Sequence, residues 1–242
     1  MFERLWGRRT RDDAEVEGRA PGAEESKATA LVQRLIDTGV DGAGPFASAV
    51  SVAERARAGH PSAESAVHVV VRRHGRMAAG SGFATGVGGL VTMPVALPAN
   101  IVGFYVLATR MVAAIAHLRG YDVSRPEVRS AVLLCLLGSD AGQVLRSAGL
   151  PTGGPLALLA QRRLPKDVLM IVNKGVGFRL LARLGSFGAL QTSRILPVLG
   201  GVVGAGADLL LLRRIAKHAE REFTPRSNSA VPVAGEAAAG GS

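Results

Sequence analysis

Apolar positions recur at helical spacing along most of this 242-residue chain. In "ATALVQRLIDTGV", Leu31, Leu35 and Ile36 fall on one face, and "PFASAVSVAERARAG" repeats the pattern between Pro45 and Gly59. A third helix opens at Pro61 or Ser62 in "HPSAESAVHVVVRRHGRM". Period-2 alternation is missing, so strands are not expected. A different pattern follows: from Gly82 to Thr109 no residue carries a charge, and Arg110 ends the run. About 20 apolar residues suffice to cross a bilayer, but Pro94 and Pro98 interrupt this stretch one turn apart. Each proline removes a backbone donor and crowds the preceding turn, which predicts two half-length segments meeting at a bend.

The second segment is expected to run from about residue 97 to 119 and to stop at Gly120. Ser124 and Glu127 have capping-box spacing for the next helix, and Gly138, Gly149 and "PTGG" delimit short elements beyond it. An amphipathic helix passes through "LPKDVLMIVNKGVGFRLLARLG". Then Gly200, Gly201, Gly204 and Gly206 precede a strong helix from about 207 to 222. Its charge-free lead, Ile195 to Ala207, is too short to span a membrane. Glycines three and four apart let helix backbones approach closely. The pattern as a whole predicts an all-α, compact multi-helix bundle with two Gly-rich helical hairpin segments packed at its centre. The residues that would make those segments a lipid or ligand hairpin are Gly82, Gly86, Gly89, Pro94, Pro98, Gly200, Gly201 and Gly204.

Composition fixes the boundaries. Residues 7–26 are polar and mixed in charge, so 1–27 is expected to be a disordered arm; 28–223 forms the helical domain; 224–242 is a small, low-complexity tail. Phe2, Leu5 and Trp6 could form a short surface anchor, but charges occupy the place where a signal peptide needs its apolar stretch. Cys135 is the lone cysteine and lies in "AVLLCLLG", which fits a buried structural thiol in a reducing compartment.

The net charge of +10 is uneven. Residues 161 to 226 hold twelve basic side chains against four acidic ones. Arg162, Arg163, Lys166, Arg179, Arg183, Arg213, Arg214 and Lys217 are therefore candidates for contact with an anionic surface, either lipid or nucleic acid. Nucleic acid is the weaker choice, because aromatic platforms for stacked bases are scarce.

The ordered combination "GFATGVGGLVTMPVALPANIVGFYVLATRMVAAIAHLRGYDVSRPEVR", "LLCLLG" and "LPVLGGVVGAGADLLLLRRIAKHAEREF" resembles the EcsC protein family of bacteria. The resemblance covers roughly residues 28 to 223. It implies a helical, membrane-associated accessory protein near a transporter or envelope process, and the family's biochemical activity is not established. Many relatives carry an acidic residue around the second proline; Ala99 and Asn100 stand there in this chain, which weakens a catalytic role for that place.

Motifs for catalysis are absent from the sequence. The five histidines never form His-Glu-x-x-His, "GVGGLVT" lacks the Lys and Ser/Thr of a phosphate loop, and no Gly-x-Ser-x-Gly elbow occurs. A non-enzyme without cofactor or metal is expected. The informative single charges are Arg110, inside the long apolar helix, and Asp208, between "GAGA" and "LLLL". If the Gly-rich helices pack together, these two form a buried ion pair; otherwise Arg110 reaches solvent and Asp208 caps its helix. The expectation is a cytoplasmic protein at the inner face of the cell membrane that binds anionic lipid or an acyl chain. The alternative is a soluble scaffold or binding module for an apolar ligand or partner helix.

Overall fold

The computed structural model describes residues 21–44, 46–87, 89–152, 154–190 and 197–226, with side chains described except at 21, 24, 82–100 and 183–204. All regular structure among these residues is helical. Helix α1, Pro21–Arg34, continues into a π-helical stretch, Leu35–Asp41. Helix α2 is Ala49–Ala58, α3 Ala63–Val87, α4 Gly89–Leu118 and α5 Pro126–Leu137. A short 3₁₀ turn leads into α6, Ala141–Ser147; then come α7, Leu156–Gln161, α8, Lys166–Leu190, and α9, Pro197–Glu222.

The ends of these helices follow local chemistry. Ser48 caps α2 by accepting a hydrogen bond from the Ser51 amide at 3.2 Å. At the end of α4, Gly120 adopts φ +83°, so the Tyr121 amide reaches Ala116 and the Gly120 amide reaches His117. That pairing is a Schellman stop, and the left-handed glycine is what permits it. Helix α5 starts differently from the capping box that the spacing suggests. Arg125 is its N-cap and Pro126 its first residue, while Ser124 instead donates to Asp122 at 2.6 Å.

Helix α5 is the centre of the molecule: ten of its twelve residues are buried, including Cys135 at 0% exposure. It lies against the second half of α4, in which Met111 through Ala116 are fully buried. Burying a Leu or Met side chain stabilises by about 1.5–3 kcal/mol, so this aliphatic pair dominates the core. Around it pack α2, α3, α7, α8 and α9. Helix α1 docks on α8, where Gly177 is needed because a Cβ there would sit 2.5 Å from the Ala28 carbonyl oxygen.

Three expectations need correction. Helix α4 runs through Pro94 and Pro98 without ending; α3 ends at Val87 and α4 begins at Gly89, both ahead of the prolines. Both prolines lie in the first three turns of α4, where the carbonyls they leave without a donor belong to residues 90 and 94, and the buried second half secures the rest. The glycines at 200–206 likewise belong to α9, which starts at Pro197 rather than near 207. Helix α1 takes in residues 21–27 of the arm expected to be disordered; Pro21 sits at its first position, and Ala, Glu and Lys are good helix formers. The anchor residues Phe2, Leu5 and Trp6 lie outside the described residues, as does the tail from 227.

Candidate anionic-ligand groove

Helix directions position the site. Arg119, just beyond α4, donates to Glu64 at the start of α3 and to the carbonyls of Glu220 and Phe223 at the end of α9. Helix α3 therefore runs antiparallel to both α4 and α9. Eleven residues further along α3 and eleven back along α9, a Cβ on Gly75 would meet Leu209 at 3.0 Å, so the register holds. A further twelve residues on each helix bring Val87 level with Pro197. The charge-free end of α3, the start of α4 and the start of α9 thus share one pole of the bundle.

Between α3 and α9 lies a groove of about 430 Å³. His68, Arg72 and Arg76 line it at four-residue spacing from α3, and Arg213 faces them from α9. Val71, Gly75, Ala79 and Leu209 supply the apolar part. The lining contains three arginines and no carboxylate. Arg72, Arg76 and Arg213 are solvent-exposed, so each guanidinium keeps its charge and its planar fork of donors for an incoming acceptor. The missing side chain at Gly75 leaves room for Leu209, which a Cβ there would meet at 3.0 Å.

Below the groove, on the buried side of α3, His74 is held almost entirely out of water. Its Nδ1 donates to the Val70 carbonyl oxygen at 2.8 Å. Burial lowers its pKa to about 4; the Val70 bond opposes this, and the nearby Arg110 and Arg73 charges reinforce it. His74 is therefore neutral at pH 7 and belongs to the core.

Arg110 is 4% exposed, so it does not reach solvent. Its guanidinium lies 5.0 Å from the centre of the Phe46 ring and approaches the Thr38 carbonyl at 3.5 Å. Desolvation lowers its pKa. Asp208 is a half-buried residue of α9, and the structure does not join it to Arg110. The physical reason is that the π-helical stretch and the loop after it cover Arg110, offering a carbonyl and an aromatic face instead of a carboxylate.

The basic residues of the last third are distributed over the segment before α8, α8 itself and α9. Arg162 accepts at its carbonyl from Arg125, and the Leu164 amide donates to Glu127, so Arg162, Arg163 and Lys166 sit near the start of α5, at the pole of Arg119. Arg179 is on α8 and bonds to Gln143 of α6. Arg213, Arg214 and Lys217 are exposed on α9, and of these Arg213 lines the groove. The side chain of Arg183 is outside the described ones. So are the surroundings of the hairpin candidates Gly82, Gly86, Gly89, Pro94, Pro98, Gly200, Gly201 and Gly204, whose backbones are helical. Sequence reading missed Arg72 and Arg76. The signal was present in "HVVVRRHGR", where His68, Arg72 and Arg76 share a face, but their partner Arg213 lies more than 130 residues away.

Cys135 shows no sign of activation. Burial, reinforced by the charge of Glu222, raises its thiol pKa well above the ordinary value. Among the described residues no group of three or more His, Cys, Asp or Glu could hold a metal ion.

The match to known families bears on the same elements. The model of the EcsC protein family fits residues 61–227, the span from the entry into α3 to just past the end of α9. The chain belongs to the EcsC protein family. No curated protein and no solved structure matches it. The EcsC match includes every residue of the groove and of the Arg119 junction, while α1 and α2 lie before it. Among the described residues, two helical regions, Ile101–Leu118 and Pro126–Ser147, are long and apolar enough to cross a membrane, but both are mostly buried in the bundle. Core helices pass that test equally well.

Proposed function

We propose that this EcsC protein is a non-enzymatic, membrane-associated accessory protein that inserts the tip of the α3–α4 hairpin into one leaflet and binds anionic lipid. The observation that carries the reading is the register of α3 against α9. From Val87 back to Arg76, the nearest charge on α3, is eleven residues or about 16 Å of helix. From Pro197 forward to Asp208 is the same length on α9, and α4 carries no charge before Arg110. Half of a bilayer's hydrocarbon core is about 15 Å thick. The charge-free pole thus matches the depth of a single leaflet, with arginines at the level of the headgroups.

Pro197 is level with Val87, so the start of α9 enters the leaflet together with the α3–α4 hairpin, and Arg194, just before it, must find a polar partner or reach toward the headgroups. The reading puts the protein at the inner face of the cell membrane, where anionic lipid and a reducing environment for Cys135 coincide. Service to a transporter or envelope process belongs to the same proposal. A second reading, a soluble module that docks a partner helix, is favoured by Met170, Ile171 and Phe178, which are exposed on α8.

Fractionation of cells, with a high-salt wash followed by carbonate, tests the first reading. Retention in the pellet after carbonate, lost when Leu90 is replaced by Glu, is the expected result. A fully soluble protein would overturn it and leave the α8 face as the functional surface.

A further inference from the structure

We infer that the α3–α9 groove is a seat for one lipid headgroup, an exposed phosphate monoester such as that of phosphatidic acid. The inference rests on the membrane reading and adds a specific ligand class to it. A diffuse basic surface attracts any anionic lipid according to charge. The groove has more structure than that.

Arg72 and Arg76 stand one turn apart on α3, Arg213 faces them from α9, and no carboxylate lines the space between. Guanidinium forks bind phosphate oxygens in pairs, and such charge-assisted bonds are roughly twice as strong as neutral ones. A phosphate monoester offers three terminal oxygens and a charge near −2, whereas a diester headgroup offers two oxygens and one charge. Three guanidinium groups therefore suit the monoester. The His68 ring, at the outer end of the α3 row, adds a further polar group.

The apolar part of the groove supports the lipid as the source of that phosphate. Val71, Ala79 and Leu209 line it beside the arginines, and Ala79 lies toward the charge-free pole. From Arg76 to the end of α3 is about 16 Å, and from Arg72 about 22 Å. The headgroup layer lies at that distance from the bilayer midplane, since half of a 40–45 Å membrane is roughly 20–22 Å. A hairpin inserted to the midplane brings the groove to the phosphates.

The test uses the full-length protein in vesicle flotation. Phosphatidylcholine vesicles carry either phosphatidic acid or enough phosphatidylglycerol to give the same surface charge. Two variants lose the same three charges: R72Q/R76Q/R213Q in the groove, and R162Q/R163Q/K166Q at the opposite pole. The wild type and the second variant should prefer phosphatidic acid by roughly tenfold at equal charge. The groove variant should bind both vesicles alike. Equal losses in the two variants, or a preference that survives in the groove variant, would overturn the seat while leaving membrane binding intact.

A second measurement separates the seat from insertion. Dihexanoyl phosphatidic acid, kept below its micelle concentration, should raise the Tm of the wild type and not that of the groove variant. A shift under these conditions from a protein that floats with no vesicle would uphold the seat and remove the inserting hairpin. An equal shift with glycerol 3-phosphate would assign the groove to a free phosphate and overturn the lipid assignment.

Discussion

Arg119 donates from Nη1 to the carbonyl of Phe223 at 2.8 Å, tying the residue after α4 to the residue after α9. The same guanidinium reaches Glu220 and, through Nη2, the Glu64 carboxylate at 2.9 Å. The connection runs both ways, because the Arg226 amide donates to the Arg119 carbonyl and the Tyr121 hydroxyl to that of Thr224. One buried side chain thus satisfies the end of α9 and fixes the directions of three helices.

Replacing Arg119 with Met should therefore cost about 2–3 kcal/mol, chiefly because the Glu220 and Phe223 carbonyls lose their donor, while the half-exposed Glu64 can turn to water. Denaturant titration measures it. Lys should recover less than half of the loss, since a single ammonium cannot span the three acceptors. A change below 1 kcal/mol for Met would mean that packing alone orients α9.

Acid should destabilise the fold through His74. Unfolded, its imidazole takes up a proton near pH 6.5; folded, it does so only at about 4. Between those values the unfolded chain binds more protons, so stability falls as pH falls. It is unaffected by this group above that window. The full loss is about 3 kcal/mol. His218, whose pKa burial also lowers, acts in the same direction. His74→Leu should flatten the profile between pH 6.5 and 4, and an unchanged slope would place the titration elsewhere.

Gly177→Ala should loosen the α1–α8 contact, because the new methyl would need the space held by the Ala28 backbone. Overpacking of this kind costs roughly 1–3 kcal/mol. Hydrogen exchange should locate the effect in Pro21–Arg34, with the α5 core still protected. Uniform loss of protection would show that α1 folds as one unit with the core.

Arg110 and Asp208 should behave independently. Arg110→Met and Asp208→Leu are expected to add within about 0.5 kcal/mol in a double-mutant cycle, as residues without direct contact do. A coupling above 1 kcal/mol would restore the ion pair that the sequence suggested.

How far the sequence could be read depended on the range of the interaction. Local signals were legible: Gly120 stops α4, Cys135 lies in the core, and apolar spacing marks α2 and the start of α3. The EcsC resemblance was also legible, in the ordered blocks that the family match covers. Misreadings arose where packing overrode a local rule. Pro94 and Pro98 should break a helix in isolation, yet α4 passes through them because its second half is fixed in the core. For Arg110 the sequence allows either a pairing with Asp208 or a reach to solvent, but the residue is buried and what covers it comes from Thr38 and Phe46, far away in sequence. The groove itself was hidden for the same reason: the sequence contains its two halves, and only the antiparallel register brings Arg72 and Arg213 together.

That register also sets the order in which the chain becomes self-sufficient during synthesis. Gly75 and Leu209 touch across more than 130 residues, so the face of α3 that α9 covers leaves the ribosome without its partner. At 5–20 residues per second, the wait is roughly 7–27 s. During that interval the face of α3 that α9 later covers stays open, and a membrane or a chaperone present at the exit site can meet it before α9 does.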